Sequence, residues 1–297
     1  MAQTFLNSAT QISNFEDLVD IVTGISYEET PVLSILGRTK ASAPTLHKWT
    51  TQSLADGASN AVAEGAATTF AAADVTVQAQ VSNYLQISKK KFSISNSQDI
   101  APNPAGKSGY EVQKSLKTKE LSKDMDYCVI NSTVVAKDAD AGTPGQLKGI
   151  LSALTLSKDA VNTILTENLY TQMTTLVYKT GGQKTDHMFC SGSNKLVINS
   201  WTAPAARHDM KSDTYRNTFS AYEGAWGTQA VVPDIHIPDT DVFALNIKSW
   251  KVAYYRPLVH EEYVIAGDYR GGHVLSEYTL EYLNPNAGGK VTNLVVA

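Results

Sequence analysis

Gly106-Lys107-Ser108 is the stretch that comes nearest to a chemical site, because it matches the end of a phosphate-binding loop. Such a loop cradles phosphates with backbone amides and needs a glycine five residues before Gly106, where Ala101 stands. Pro102 and Pro104 also remove amides from the would-be cradle. The stretch reads as a loop leading into a helix. His260-Glu261-Glu262 opens like a zinc-protease helix, but position 264 is Val264, and Leu258 to Val264 is strand-like, so two ligands would not share a helical face. The six histidines, at 47, 187, 208, 236, 260 and 273, lack ligand spacing, and no metal centre is expected. Ser191-Gly192-Ser193 lacks the flanking glycines of a nucleophile elbow. Cys128 falls within a helical pattern and Cys190 within an apolar strand, so both read as packing side chains. Asp234, Asp239 and Asp241 lie beside Pro233 and Pro238 and read as turn formers, and Gly267 to Gly272 reads as a glycine-rich turn. No catalytic group and no cofactor is expected, and the chain does not read as an enzyme.

The surrounding elements are of mixed type. Phe15, Leu18, Val19 and Val22 have helical spacing, closed near Gly24. A short helix is predicted from Thr30-Pro31 to Gly37, with Thr30 as cap, and a strand over Leu46 to Thr51. The longest helix is predicted from Lys107 to about Ala136, about 45 Å at 1.5 Å per residue. Its stripe is Val112, Leu116, Leu121, Met125 and Val129, and its charged face carries Lys114, Lys117, Glu120, Lys123 and Asp124. Lys137 to Gly149 reads as an exposed loop. Leu165, Leu169, Met173, Leu176 and Val177 predict an amphipathic helix stopped at Gly181-Gly182. His187 to Cys190 reads as a buried strand and Asn194 to Ser200 as a short helix. Strands dominate afterwards, at Gln229 to Val232, Val242 to Ile247, Trp250 to Tyr255 and Val274 to Leu283. The class is α+β.

Residues 55–73 hold nine alanines and two glycines, with Asp56 and Glu64 as the only charges. Strand-like stretches flank them, Leu46 to Leu54 and Val75 to Ser95. Such an excursion is marginal on its own in water, so its apolar tip needs another surface, and a partner subunit is expected there. On the returning strand Leu85 and Ile87 fall on one face, Phe92 and Ile94 on the other, with Lys89, Lys90 and Lys91 between. A bulge or bend is predicted at those lysines.

The 297 residues carry 25 Lys+Arg against 29 Asp+Glu and are 42% hydrophobic, enough for a packed core and too balanced for intrinsic disorder. A net charge of −4 argues against a protein whose main work is gripping nucleic acid by its phosphates. No run approaches the roughly 20 apolar residues of a membrane helix, and the start lacks a secretory signal pattern. Two cysteines do not make a disulfide framework. The chain reads as a soluble protein of a reducing compartment.

In order, these parts resemble the major capsid proteins of tailed phages, with the Hong Kong 97-like fold. The colinear stretches are Glu29 to Arg38, Leu46-His47-Lys48-Trp49, Asn83 to Ser88, Trp250 to Pro257 and Glu277 to Glu281. The resemblance implies an N-terminal arm over 1–44 and an extended β-hairpin loop over 45–96. It further implies a peripheral domain over 97–154 with a spine helix at 107–136, a mixed α/β axial domain over 155–260, and strands of 261–297 returning to the peripheral domain. Contacts between subunits are expected at Trp49, Asp56, Val62, Glu64 and Phe70 on the loop, and at Lys89, Lys90, Lys91, Lys114 and Lys117. No lysine–asparagine crosslink is assigned.

The resemblance implies self-assembly into hexameric and pentameric capsomers of an icosahedral head, located in the virion and built in the host cytoplasm. Its partners would be a portal protein, a decoration protein, and packaged double-stranded DNA lying on the inner face without sequence-specific binding. Because the chain begins at Met1, a separate scaffolding protein is expected. An encapsulin-like compartment shell, a tail or decoration subunit, and an α+β hydrolase with an unrecognised site are the alternatives.

Overall fold

Pro31 sets the first described helix, with its fixed φ at the N-terminal turn where no amide is needed. The computed structural model describes residues 29–55, 57–68, 78–100, 108–137, 142–201, 221–263 and 267–295. In chain order the elements are α1 (Pro31–Ile35), β1 (Gly37–Lys40), β2 (Leu46–Thr51), β3 (Ala79–Tyr84), β4 (Gln86–Ser95), α2 (Asn96–Ile100) and α3 (Gly109–Asn131). Then follow α4 (Ile150–Ala153), β5 (Leu156–Thr163), α5 (Glu167–Gly181), β6 (His187–Cys190) and α6 (Gly192–Ser200). The closing strands are β7 (Ala221–Gly224), β8 (Gly227–Pro233), β9 (Val242–Leu245), β10 (Trp250–Tyr263), β11 (Tyr269–Tyr282) and β12 (Gly288–Leu294). The helix predicted around Phe15 to Val22 lies outside the described residues.

The strands form a four-stranded sheet, β1-β10-β11-β4, a six-stranded sheet, β5-β12-β9-β6-β8-β7, and the separate β2-β3 hairpin. The strands after residue 261 therefore divide: β11 is central in the first sheet, whereas β12 crosses into the second. One core packs α1 and α3 against the four-stranded sheet through Leu33, Leu121, Val129, Trp250 and Tyr278, and reaches Phe189 and Phe243 of the six-stranded sheet. A second core lies under α5, through Tyr170, Met173 and Val177 against Met188 and Val291.

The long helix is shorter than predicted. Ser108 caps it, accepting a hydrogen bond from the Glu111 amide at 3.3 Å, in a Ser-x-x-Glu capping pattern. Asp99 accepts the Tyr110 amide at 2.9 Å. At the other end Ser132 turns extended, and Val135 pairs with Gln146 across an isolated bridge. The β-branched run Thr133-Val134-Val135 thus leaves the helix, which at 23 residues spans about 34 Å. Its buried stripe is Leu121, Met125 and Val129, with Tyr110 buried in the first turn, while Leu116 is exposed. The segment after it is not wholly exposed, because Leu147 is buried in the core.

The phase switch on the returning strand is real but sits elsewhere. Leu85 separates β3 from β4, and β4 pairs with β11 in unbroken register from Gln86 to Ser95. One residue between two strands supplies the extra step that alternation requires, so no bulge is needed at Lys89 to Lys91. The bulges lie instead on β10, between Tyr254 and Val259, around Pro257, which cannot donate to a ladder.

Helix α5 ends at Gly182 in the left-handed region, φ 63°. It lies close on β12 because Gly289 has no side chain: a Cβ there would meet Val177 Cγ2 at 2.6 Å and Met173 Sδ at 2.7 Å. Gly289→Ala is expected to destabilise the subunit by about 1–3 kcal/mol, read as a lowered Tm in thermal denaturation.

Candidate assembly surfaces

The base of the β2-β3 hairpin is bolted to β11. Trp49 donates its indole N–H to the Tyr282 carbonyl at 3.0 Å and sits edge-on to the Tyr282 ring at 5.1 Å. His47 accepts from the Ser42 amide through Nδ1, which leaves Nε2 to donate to Glu281 at 2.9 Å. Asn83 donates to the Leu280 carbonyl at 2.8 Å and accepts the Lys148 amide at 2.8 Å, and Thr279 donates to the Tyr84 carbonyl at 2.8 Å. Trp49 is therefore an anchor within its own subunit, 9% exposed.

Beyond Thr51 the support ends. Every described residue of 52–68 is exposed, with Leu54 at 86% and Val62 at 72%. A turn at Glu64-Gly65, with φ +78° at the glycine, is the local structure here. Asp56 and Phe70 lie outside the described residues. Extended, alanine-rich backbone with large apolar side chains in water has nothing of its own to cover it.

The expected lysines separate by role. On β4, Lys89 and Lys91 point outward, whereas Lys90 faces α3 and pairs with Asp124 at 2.6 Å. On α3, Lys117 pairs with Glu120 at 2.8 Å and Lys114 approaches Glu111 at 3.7 Å. Such partly exposed pairs contribute no more than about 1 kcal/mol each. Between β4 and α3 runs an open groove of about 620 Å³, lined by Gln86, Ser88, Lys90, Asp124, Tyr127 and His236 among others.

The chemical motifs resolve into structural parts. Ser108 is a helix cap, and Gly106 and Lys107 lie outside the described residues. His260 bonds the Tyr110 hydroxyl at 2.9 Å and stacks on Phe92, and burial holds its pKa below the ordinary value. Glu262 pairs with Arg270 at 3.1 Å and Glu261 with His273 at 3.3 Å. Cys128 accepts from Gln86, and burial pushes the Cys190 thiol up to about 12. Asp234, Asp239 and Asp241 do not converge.

Asp234 instead meets its near neighbour His236 and the distant Asp126. Asp126 and His236 join it, with one ligand-type atom from each lying within 4.8 Å of the others; among the described residues this is the group able to hold a metal ion. Asp126 Oδ2 is 3.0 Å from His236 Nδ1, and its Oδ1 accepts the Leu33 amide at 2.7 Å. The node thus ties α1, α3 and the connection after β8. Burial first, then the neighbouring Asp234 carboxylate, pushes Asp126 up to about 7. The signal available in sequence was an aspartate beside Met125 on a buried helical stripe; its partners, 108 and 110 residues on, carried none.

A sheet braced by a long helix, a second sheet and a β-hairpin are the Hong Kong 97-like fold of phage capsid structures. The sequence profile of the SU10 major capsid protein family matches residues 2–295, and the chain belongs to that family. It is a major capsid protein of a tailed phage, and a component of the virion. Solved structures share the fold at low identity. The capsid of a native GTA particle has a TM-score of 0.70 at 10% identity, over 98% of this chain and 100% of that one. The holo-SrpI encapsulin of Synechococcus elongatus PCC 7942 has a TM-score of 0.65 at 12% identity, over 99% and 98%. A Cyanophage A-1(L) capsid chain has a TM-score of 0.64 at 13% identity, over 97% and 99%. A search of curated protein sequences returned no significant match.

Two outcomes follow from these environments. Trp49→Ala is expected to cost about 3–5 kcal/mol of subunit stability, whereas Val62→Asp shifts it by less than about 0.5 kcal/mol, both read by denaturant unfolding of dissociated subunits. Between the unfolded value of 3.8 and the folded value of about 7, the folded chain keeps an Asp126 proton that the unfolded chain releases. Stability therefore falls as pH rises through that window, by up to roughly 1.4 kcal/mol per unit, and levels off above it. Melting curves in chelator-containing buffer should show this slope in the wild type and a flatter one in Asp126→Asn.

Proposed function

We propose that this capsid protein assembles into hexamers and pentamers of an icosahedral head by laying its hairpin, residues 45–96, across a neighbouring subunit. The observation that carries this reading is the contrast along the hairpin: a base locked into the core and an apolar reach of 52–68 with every described residue exposed. Anchoring at one end turns the loop into a lever whose unburied surface is satisfied by a second copy. A shell built of small subunits gains its strength from such contacts repeated by symmetry. Val62 and Glu64 occupy this reach, and Asp56 and Phe70 fall in the same stretch of sequence. Lys89 and Lys91, and the ion-paired Lys90, Lys114 and Lys117, line the side a neighbour would approach.

In this reading α3 is the spine of the peripheral domain with the four-stranded sheet, and the six-stranded sheet is the core of the axial domain at capsomer centres. The head encloses double-stranded DNA without sequence-specific contact, consistent with a net charge of −4. A portal protein, a separate scaffolding protein and a decoration protein are its assembly partners, and assembly takes place in the host cytoplasm. One structural neighbour is a phage G capsid solved with its decoration proteins. The role is structural rather than catalytic.

Deletion of residues 55–73 tests the reading. Soluble, folded subunits that form no shells by negative-stain electron microscopy are expected, and shells of ordinary size and yield from the deleted chain would sink it. DNA within the wild-type shells, rather than a protein cargo, separates the phage head from a cellular compartment.

A further inference from the structure

The strongest group outside the assembly surfaces is the buried node where α1, α3 and the connection after β8 meet. Asp126 is fully buried and Asp234 is 3% exposed. Each carboxylate has one oxygen fixed by a backbone amide: Asp126 Oδ1 accepts from Leu33 at 2.7 Å, and Asp234 Oδ1 from His236 at 2.9 Å. The other oxygens are left for the centre of the node. Asp126 Oδ2 lies 3.0 Å from His236 Nδ1. Asp234 Oδ2 is buried and has no hydrogen-bond partner. A buried acceptor without a partner forfeits its solvation with nothing in return, and two adjacent buried carboxyl groups relieve that cost by sharing a proton or a metal cation.

We propose that Asp126, Asp234 and His236 form a site for one divalent transition-metal cation, zinc by its donor chemistry, that clamps the long helix to the six-stranded sheet. The donors are one imidazole nitrogen and two carboxylate oxygens, a mixture zinc accepts, whereas magnesium and calcium favour all-oxygen shells. Ligands about 2.0–2.1 Å from a tetrahedral zinc stand roughly 3.3 Å apart. His236 Nδ1 stands 3.0 Å from Asp126 Oδ2, and one donor atom from each of the three residues lies within 4.8 Å of the others. Two carboxylates and a neutral imidazole balance a charge of +2, so the buried centre becomes neutral. The amides on the opposite oxygens play the part that outer hydrogen bonds play in metal sites, holding each ligand at its angle. His236 also lines the open groove of about 620 Å³ between β4 and α3, which gives the ion a way in and water for the remaining coordination position. Bound there, the ion adds to the hydrogen bond that Asn131 of the same helix donates to the His236 carbonyl at 2.8 Å. This site is independent of the shell reading.

The test uses the full chain, dialysed against a chelator and then titrated with zinc sulfate by calorimetry, with bound metal counted by mass spectrometry after gel filtration. About one zinc per chain and a raised Tm are expected. Asp234→Asn and His236→Gln should each weaken zinc binding tenfold or more, while His187→Gln, in a pair with Asp186 elsewhere, leaves it unchanged. Absence of stoichiometric zinc in the wild type overturns the proposal, and that result needs no variant to fold. Wild-type affinity in both folded variants would also overturn it, as would magnesium binding as tightly as zinc.

Discussion

Burial of β11 on both faces is the constraint on which the rest of the molecule depends. From Gly271 to Tyr282 every residue of the strand is buried, with β10 along one edge and β4 along the other. A strand so placed leaves few surfaces open, and its polar groups must be met by whatever packs against it. Glu281 takes His47, the carbonyls of Leu280 and Tyr282 take Asn83 and Trp49, Thr279 reaches the Tyr84 carbonyl, and Glu277 holds Arg256 at 3.0 Å. The hairpin is where it is because β11 requires partners there.

That anchoring explains the division between what is rigid and what is offered. A hairpin alone is marginal in water, but one whose root is part of a core can carry a long unsupported reach. The apolar cost of the reach is deferred to assembly, where a second copy removes it from water. The charged flank of α3 and β4 behaves differently: Lys90, Lys114 and Lys117 are engaged by carboxylates of the same chain, and that surface is solvated before any neighbour arrives. The Asp126 node belongs to neither class, since its groups are buried within one subunit and bind three segments together.

Where periodicity and local stop signals were strong, the sequence was readable. Glu167–Gly181 follows from its apolar stripe and the Gly181-Gly182 stop, and Leu46–Thr51 and His187–Cys190 emerge as strands. The edge strands β1 and β5 were not legible: Gly37–Lys40 and Leu156–Thr163 are mostly polar and partly exposed, and become strands only because β10 and β12 present unpaired edges. The long helix was overextended because nothing in its charged face marks Asn131 as its end; the β-branched run beyond it finds Gln146 across a loop. The anchoring of Trp49 on Tyr282 was not legible, because an aromatic on a strand looks the same in sequence whether it meets its own chain or another.

By itself the sequence determined the α+β class, the order of the parts, the small-residue tip between two strands, and the lack of any local catalytic pattern, since all of these depend on composition and near-neighbour spacing. Only tertiary structure decided which side of Leu85 faces which sheet, that β12 leaves β11's sheet for the other, and that Asp126 meets Asp234 and His236 more than a hundred residues away. Spacing along a chain sets which side chains share a face of one element. Which faces meet is set by burial of the whole, where the partner of each group comes from a distant segment.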